Sequence, residues 1–172
     1  IGVGRSKNGA YIFIVSGGTL SNEFRMINAN TPEAPFKVFS NRAKEVLYDV
    51  IPVDGKFYIK TNWEAKNFRL MECPLDKTEK EHWKEVLPNR KEVLLESVEE
   101  FKQALVLTER KNGLPELRVL KNDGGDFYIQ LAAQAHAVRH CYATYSCLRI
   151  FANPSDFAAG LPTPAFDSNH AR

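Results

Sequence analysis

Long apolar runs are missing from this chain of 172 residues. None approaches the roughly 18 consecutive apolar residues that a membrane helix needs, so no helical membrane span is expected. The N-terminus, which begins at Ile1, carries no basic-then-apolar secretory pattern. Cysteine is scarce as well. Cys73, Cys141 and Cys147 are an odd number at irregular spacing, which excludes a disulfide framework. A reducing compartment, the cytoplasm, is the expectation, although Cys141 and Cys147 lie near enough to pair under oxidising conditions. Charge of one sign is missing too: 23 Lys and Arg against 21 Asp and Glu leave a net +2, too little to argue for nucleic acid or an acidic membrane. Where basic residues do cluster, as from Lys77 to Lys91, acids are interleaved with them in the manner of a solvated face. No serine lies in the Gly-x-Ser-x-Gly pattern that a nucleophile elbow requires, because a strained strand-to-helix turn must expose it. Ser16, followed by Gly17 and Gly18, lacks the upstream glycine. No catalytic residue and no cofactor are therefore assigned.

What is present is a repeat. Tyr11 to Asn30, Phe57 to Pro74 and Ala104 to Lys121 each pair an apolar stretch with a second one that carries an aromatic or leucine followed by arginine. The marks are Glu23-Phe24-Arg25, Asn67-Phe68-Arg69 and Glu116-Leu117-Arg118, each followed by two apolar residues. A second echo follows in the same order, where Phe36 to Arg42 is answered by Trp83 to Arg90. A period of about 45 residues fits one four-stranded propeller blade. The predicted fold is all-β: a partial β-propeller of about three antiparallel blades from a ring too large for this chain, since seven such blades need roughly twice its length.

Short apolar or alternating runs broken by Gly, Asn, Asp and Pro place the strands. The first unit, about residues 1–42, contributes Tyr11 to Ser16, Glu23 to Asn30 and Phe36 to Phe39, as strands two to four of a blade whose first strand is missing or truncated. The second, about 43–90, is complete: Val46 to Val53, Lys56 to Asn62, Asn67 to Pro74 and Trp83 to Leu87, with a hairpin turn at Asp54-Gly55. The third, about 91–131, runs Val93 to Phe101, Gln103 to Arg110, Glu116 to Lys121 and Phe127 to Leu131, with a turn at Asn112-Gly113. Second strands should be the more continuously apolar, because neighbouring blades flank both faces, and third strands should alternate with charge. Arg25, Arg69 and Arg118 then read as outward residues or partners in ion pairs between blades. Residues 132–172 break the pattern, with ten alanines against six in the preceding 131 residues and no Lys or Glu. A short helix over Leu131 to Cys141 and an irregular or disordered remainder are expected there, and both a natural tail and a shifted reading frame fit that composition.

Other constellations are better explained without chemistry. His136 and His140 stand at the i, i+4 spacing beside Cys141, but zinc needs a third and usually a fourth ligand, and only Cys147 is near; no metal residue is assigned. Gly2-Val3-Gly4 with Gly9 lacks the strand-loop-helix setting and the Lys-Ser/Thr of a phosphate loop, and a turn before Tyr11 accounts for it. Trp63 and Trp83 are expected to pack between sheets. Glu109, Arg110 and Lys111 flank a turn and could face a partner, as turn-flanking charges ordinarily do.

Several phrases are more specific: Tyr11-Ile12-Phe13-Ile14, Thr19 to Glu23, Phe57 to Asn62, Ala65 to Leu70, Trp83 to Pro88, Val93 to Glu96 and Glu109 to Leu114. Over about two thirds of its length the chain resembles the N-terminal propeller of the prolyl oligopeptidase family, in its oligopeptidase B branch. That resemblance implies a seven-bladed propeller capping an α/β-hydrolase domain that holds the catalytic Ser, Asp and His, limits access to short peptides, and cleaves after Lys or Arg. None of those catalytic motifs has a counterpart here, so the expected role is exclusion and docking, with self-association through open blade faces. A stand-alone propeller-like binding module is the alternative.

Overall fold

The computed structural model of the chain describes residues 1–129. Three four-stranded antiparallel sheets follow one another along the sequence, and within each, every strand pairs with the next. The first holds β1 (Gly2–Arg5), β2 (Tyr11–Gly17), β3 (Asn22–Asn28) and β4 (Lys37–Val38). The second holds β5 (Tyr48–Val53), β6 (Lys56–Thr61), β7 (Arg69–Pro74) and β8 (Lys84–Leu87). The third holds β9 (Val93–Phe101), β10 (Ala104–Lys111), β11 (Leu114–Lys121) and β12 (Asp126–Tyr128). This is three propeller blades in sequence order, the arrangement the repeat predicts.

Two details differ from expectation. The first blade is complete, since β1 pairs with β2 in the register Gly2↔Val15 to Arg5↔Ile12. Gly2 and Gly4 thus lie in an extended strand rather than a turn. Glycine contributes no side chain to pack and weakens the strand pattern, which is why Gly-Val-Gly-Arg does not announce itself. The third strand of the second blade starts at Arg69, two residues after Asn67, because Phe68 adopts φ 62°. That left-handed backbone is costly for an aromatic residue, and the hydrogen bond from Phe68 N to Ala65 O at 2.9 Å holds it. The expected tail helix, the last residues of the strand to Leu131, and the cluster of His136, His140, Cys141 and Cys147 lie outside the described residues.

Hairpin turns follow from local chemistry. Asn112 and Gly113 both have positive φ, 50° and 79°, as the two-residue turn of matching twist demands. Gly55 supplies φ 81° between β5 and β6.

Each core is the seam between two blades. Between the first and second lie Phe13, Phe39, Tyr48, Phe57, Ile59 and Trp83, with Met71 and Cys73. Between the second and third lie Leu70, Leu87, Leu95, Leu105 and Leu107. The middle sheet is therefore buried on both faces. This modifies the contrast between second and third strands: β7 buries Leu70 and Met71, adjacent residues on opposite faces, as fully as β6 buries Phe57 and Ile59. The contrast holds in the third blade, where β10 is buried over most of its length and β11 mainly at Val119.

Tyr48 fastens the first seam. Its hydroxyl donates to Ser40 O at 3.0 Å and accepts from Phe24 N at 3.0 Å, and burial pushes its pKa up. Tyr48→Phe leaves both backbone groups without that partner and is expected to cost about 1–3 kcal/mol, measured as a lower urea midpoint at unchanged slope.

Candidate functional site

The repeated arginines are the natural place to look for a shared role. Strand alternation gives each mark a fixed orientation. Phe24 packs into the seam toward the second blade and Phe68 into the seam toward the third. The adjoining arginines therefore point the other way, toward the preceding blade. Register puts the three in equivalent places: Ile14↔Arg25, Thr61↔Arg69 and Leu107↔Arg118.

Two residues on from Ile14, Thr61 and Leu107 stand Ser16, Trp63 and Glu109, and the three arginines treat this neighbour differently. Arg118 lies 3.7 Å from Glu109 and is gripped by Asp126, Nε to Oδ1 at 2.8 Å. Arg69 stacks its guanidinium 5.0 Å from the Trp63 ring centre and pairs with Glu85 at 3.3 Å. Arg25 has only its own strand neighbour Glu23, at 3.1 Å, and is half exposed. All these ion pairs lie within a blade, a correction to the expected pairing between blades. Cross-strand neighbours on one face sit closer than residues across a seam filled by large side chains.

Glu109 is the most unusual group. Its carboxylate is fully buried, bonded by Arg90 from the link between the second and third blades and by the Tyr128 hydroxyl at 2.9 Å. Arg90 also reaches the Tyr128 hydroxyl at 3.0 Å. Burial opposes the Arg90 charge, but hydrogen bonds to Glu109 and Tyr128 outweigh it and raise its pKa. The hydrogen bond to Asp126 raises that of Arg118 and, reciprocally, holds the Asp126 carboxyl below its usual range. Glu109 thus does not face a partner from a turn. Its neighbour Arg110 is turned into a two-pronged pair with Glu96, at 2.6 and 3.2 Å. Lys111 lies at a cleft of about 820 Å³, shared with Arg90, Lys91, Leu114 and Tyr128.

Because the pKa of Asp126 is lowered by folding, its stabilising contribution is present above the unfolded aspartate value and is lost as pH falls through the folded one. Acid should therefore weaken the third blade through this residue. Asp126→Asn is expected to be less stable near neutrality but to lose less on acidification, read as urea midpoints compared at neutral and acid pH.

Asparagines stitch successive blades together, and sequence reasoning misses them. Asn22 makes a reciprocal pair with the backbone of Tyr48, donating to its O at 2.7 Å and accepting from its N at 3.0 Å. Asn67 donates to Arg90 O at 3.0 Å and Lys91 O at 2.7 Å. The available signal was an asparagine just before each of the first two aromatic-arginine marks. Trp83 is buried as expected, with its indole N–H on Thr78 O at 2.8 Å, whereas Trp63 sits between Arg69 and Lys80 at the margin. Cys73 is buried in the first seam, and desolvation, followed by the Glu72 charge, pushes its thiol up to about 12, so it is inert while folded. Among the described residues no group of three His, Cys, Asp or Glu is placed to hold a metal. The arrangement ties strand to strand and blade to blade; its chemistry is that of a scaffold.

Comparison with known proteins agrees. The family model for the prolyl oligopeptidase N-terminal β-propeller domain matches residues 1–165. Dipeptidyl aminopeptidase BI of Pseudoxanthomonas mexicana is 33% identical over 139 residues, which is 80% of this chain and 19% of that protein. Protease 2 of Moraxella lacunata is 32% identical over 123 residues, 71% of this chain and 17% of that protein. The chain thus spans about a fifth of the length of these relatives. Among solved structures, a prolyl endopeptidase studied for inter-domain dynamics superposes with a TM-score of 0.68 at 25% identity, over 76% of this chain and 19% of that one. Oligopeptidase B from Leishmania major superposes with a TM-score of 0.67 at 19% identity, over 76% of this chain and 20% of that one. Blade repeat, register and family match converge: the chain belongs to the prolyl oligopeptidase family and forms part of its N-terminal β-propeller domain.

Proposed function

We propose that this chain is a segment of the substrate-filtering propeller of an oligopeptidase-B-like serine peptidase, one that acts on short peptides after Lys or Arg in a cytoplasmic setting. The observation that carries the reading is the unbroken run of three blades within a family match covering residues 1–165. The chain's own part is steric: rigid blades, stitched by Asn22 and Asn67 and clamped at Glu109, wall off a catalytic α/β-hydrolase domain so that folded proteins cannot enter. A buried, unpaired Cys73 is compatible with a reducing compartment.

The test is to read the coding DNA on both sides of these 172 codons and assay the complete product. An in-frame Gly-x-Ser-x-Gly elbow, cleavage of short Arg- or Lys-ended fluorogenic peptides, and resistance of the same sequence inside a folded protein are expected. An open reading frame without the elbow, or equal cleavage of long and short substrates, overturns the reading.

A further inference from the structure

The face of the first blade that points away from the second has a self-complementary character. Phe13, Phe24 and Met26 point into the first seam, so the alternate residues Ile12 and Ile14 of β2 and Arg25 of β3 point outward. Register extends this face across the sheet, joining Val3 to Ile14, Ile14 to Arg25 and Arg25 to Val38. Val3 is 73% exposed.

The same positions in the other two blades are seam positions. The pair Ile12↔Ile27 corresponds to Ile59↔Met71 and to Leu105↔Leu120, and the pair Ile14↔Arg25 to Thr61↔Arg69 and Leu107↔Arg118. Ile59, Thr61 and Leu107 are wholly buried against the blade before them. In the first blade, no described sheet covers the equivalent surface. Charge is arranged on it as a doublet: Glu23 and Arg25 project from alternate positions of β3 on this one face. A twofold axis through the face would set each Arg25 against the other copy's Glu23, the self-matching geometry of an isologous interface.

We infer that a second copy of this chain packs on this face, first blade against first blade, with Ile12, Ile14 and Val3 at the centre and Glu23 and Arg25 exchanging partners across the twofold. The inference does not depend on the peptidase reading, because it concerns the face and not the parent's chemistry. The contact continues the blade-on-blade packing already seen at two seams, and the charge pairs fix its register.

The experiment is sedimentation velocity of the full 172-residue chain over a wide range of concentration, with circular dichroism of each variant. A concentration-dependent dimer is expected for the unaltered chain. Glu23→Arg and Arg25→Glu singly should each weaken the dimer about tenfold, and the double reversal should restore it, because only the exchanged pairs are repaired together. Ile14→Lys should give a monomer with an unchanged spectrum. A monomer at every concentration for the unaltered chain overturns the proposal and assigns the face to another occupant. A dimer that ignores all three charge variants overturns it as well, and that arm decides the matter even if Ile14→Lys fails to fold.

Discussion

Phe57→Ala should abolish the cooperative unfolding of this chain. Phe57 is fully buried at the centre of the first seam, with ring centres 5.1 Å from Phe39 and 5.2 Å from Tyr11. Truncation removes the transfer energy of a benzyl group and leaves a void that three flanking strands cannot close, together about 3–5 kcal/mol. Domains of this size are stable by only about 5–15 kcal/mol in total. The loss falls on one seam of a structure whose cores are separate layers, so the first and second blades should part before the third unfolds. Urea unfolding followed by tryptophan fluorescence checks this directly, since Trp63 and Trp83 both border that seam. Leu114→Ala, at a side chain 61% exposed, is the control and should shift stability by no more than about 0.5 kcal/mol. Equal effects at the two sites would mean that the seam is not where the stability resides.

Glu109→Ala is expected to cost about as much, by a different route. The substitution leaves Arg90 and Arg118 facing one another without the carboxylate that both approach. Breaking a buried charge cluster by removing one sign typically costs about 3–5 kcal/mol, mostly as the penalty of unpaired charge. Replacing the cluster as a unit, with Glu109→Leu and Arg90→Met together, should therefore be less harmful than the sum of the two single changes. A double-mutant cycle in urea reads that coupling. Because Glu109 is buried, the single-mutant effect should persist in high salt, whereas contributions from exposed pairs such as Arg25 with Glu23 should fade. A salt-sensitive Glu109 effect would place the carboxylate in water and contradict the structure.

How much of this was legible beforehand differs from residue to residue. The second blade could be read almost strand by strand, because it is flanked on both sides: its apolar runs are long, and Asp54-Gly55 announces its hairpin. The first strand of the first blade could not, since Gly2 and Gly4 carry no side chain to show a pattern. Glu109 is the sharpest failure of sequence logic. Three charged residues before an Asn-Gly turn look like an exposed flank, and Arg110 and Lys111 do lie at the margin. Burial of Glu109 follows from strand parity combined with the arrival of Arg90 from the link between blades, 19 residues earlier in the chain. The asparagine clips were hidden for the same reason, because Asn22 meets its partner 26 residues away only after two blades have packed.

By itself, then, the sequence determined the repeat, the strand order and the family, because these depend on local alternation, turn chemistry and spacing, all short-range properties. It also determined which residues of each mark share a face, since strand parity is fixed once the strand exists. Only the tertiary structure decided which of those faces would be closed. The same third-strand arginine is seated on a carboxylate in the third blade, on an indole in the second and beside an open surface in the first. Its environment is set by whatever the neighbouring blade and linker bring within a few ångströms, and electrostatic energy at that range depends on burial and distance rather than on residue type.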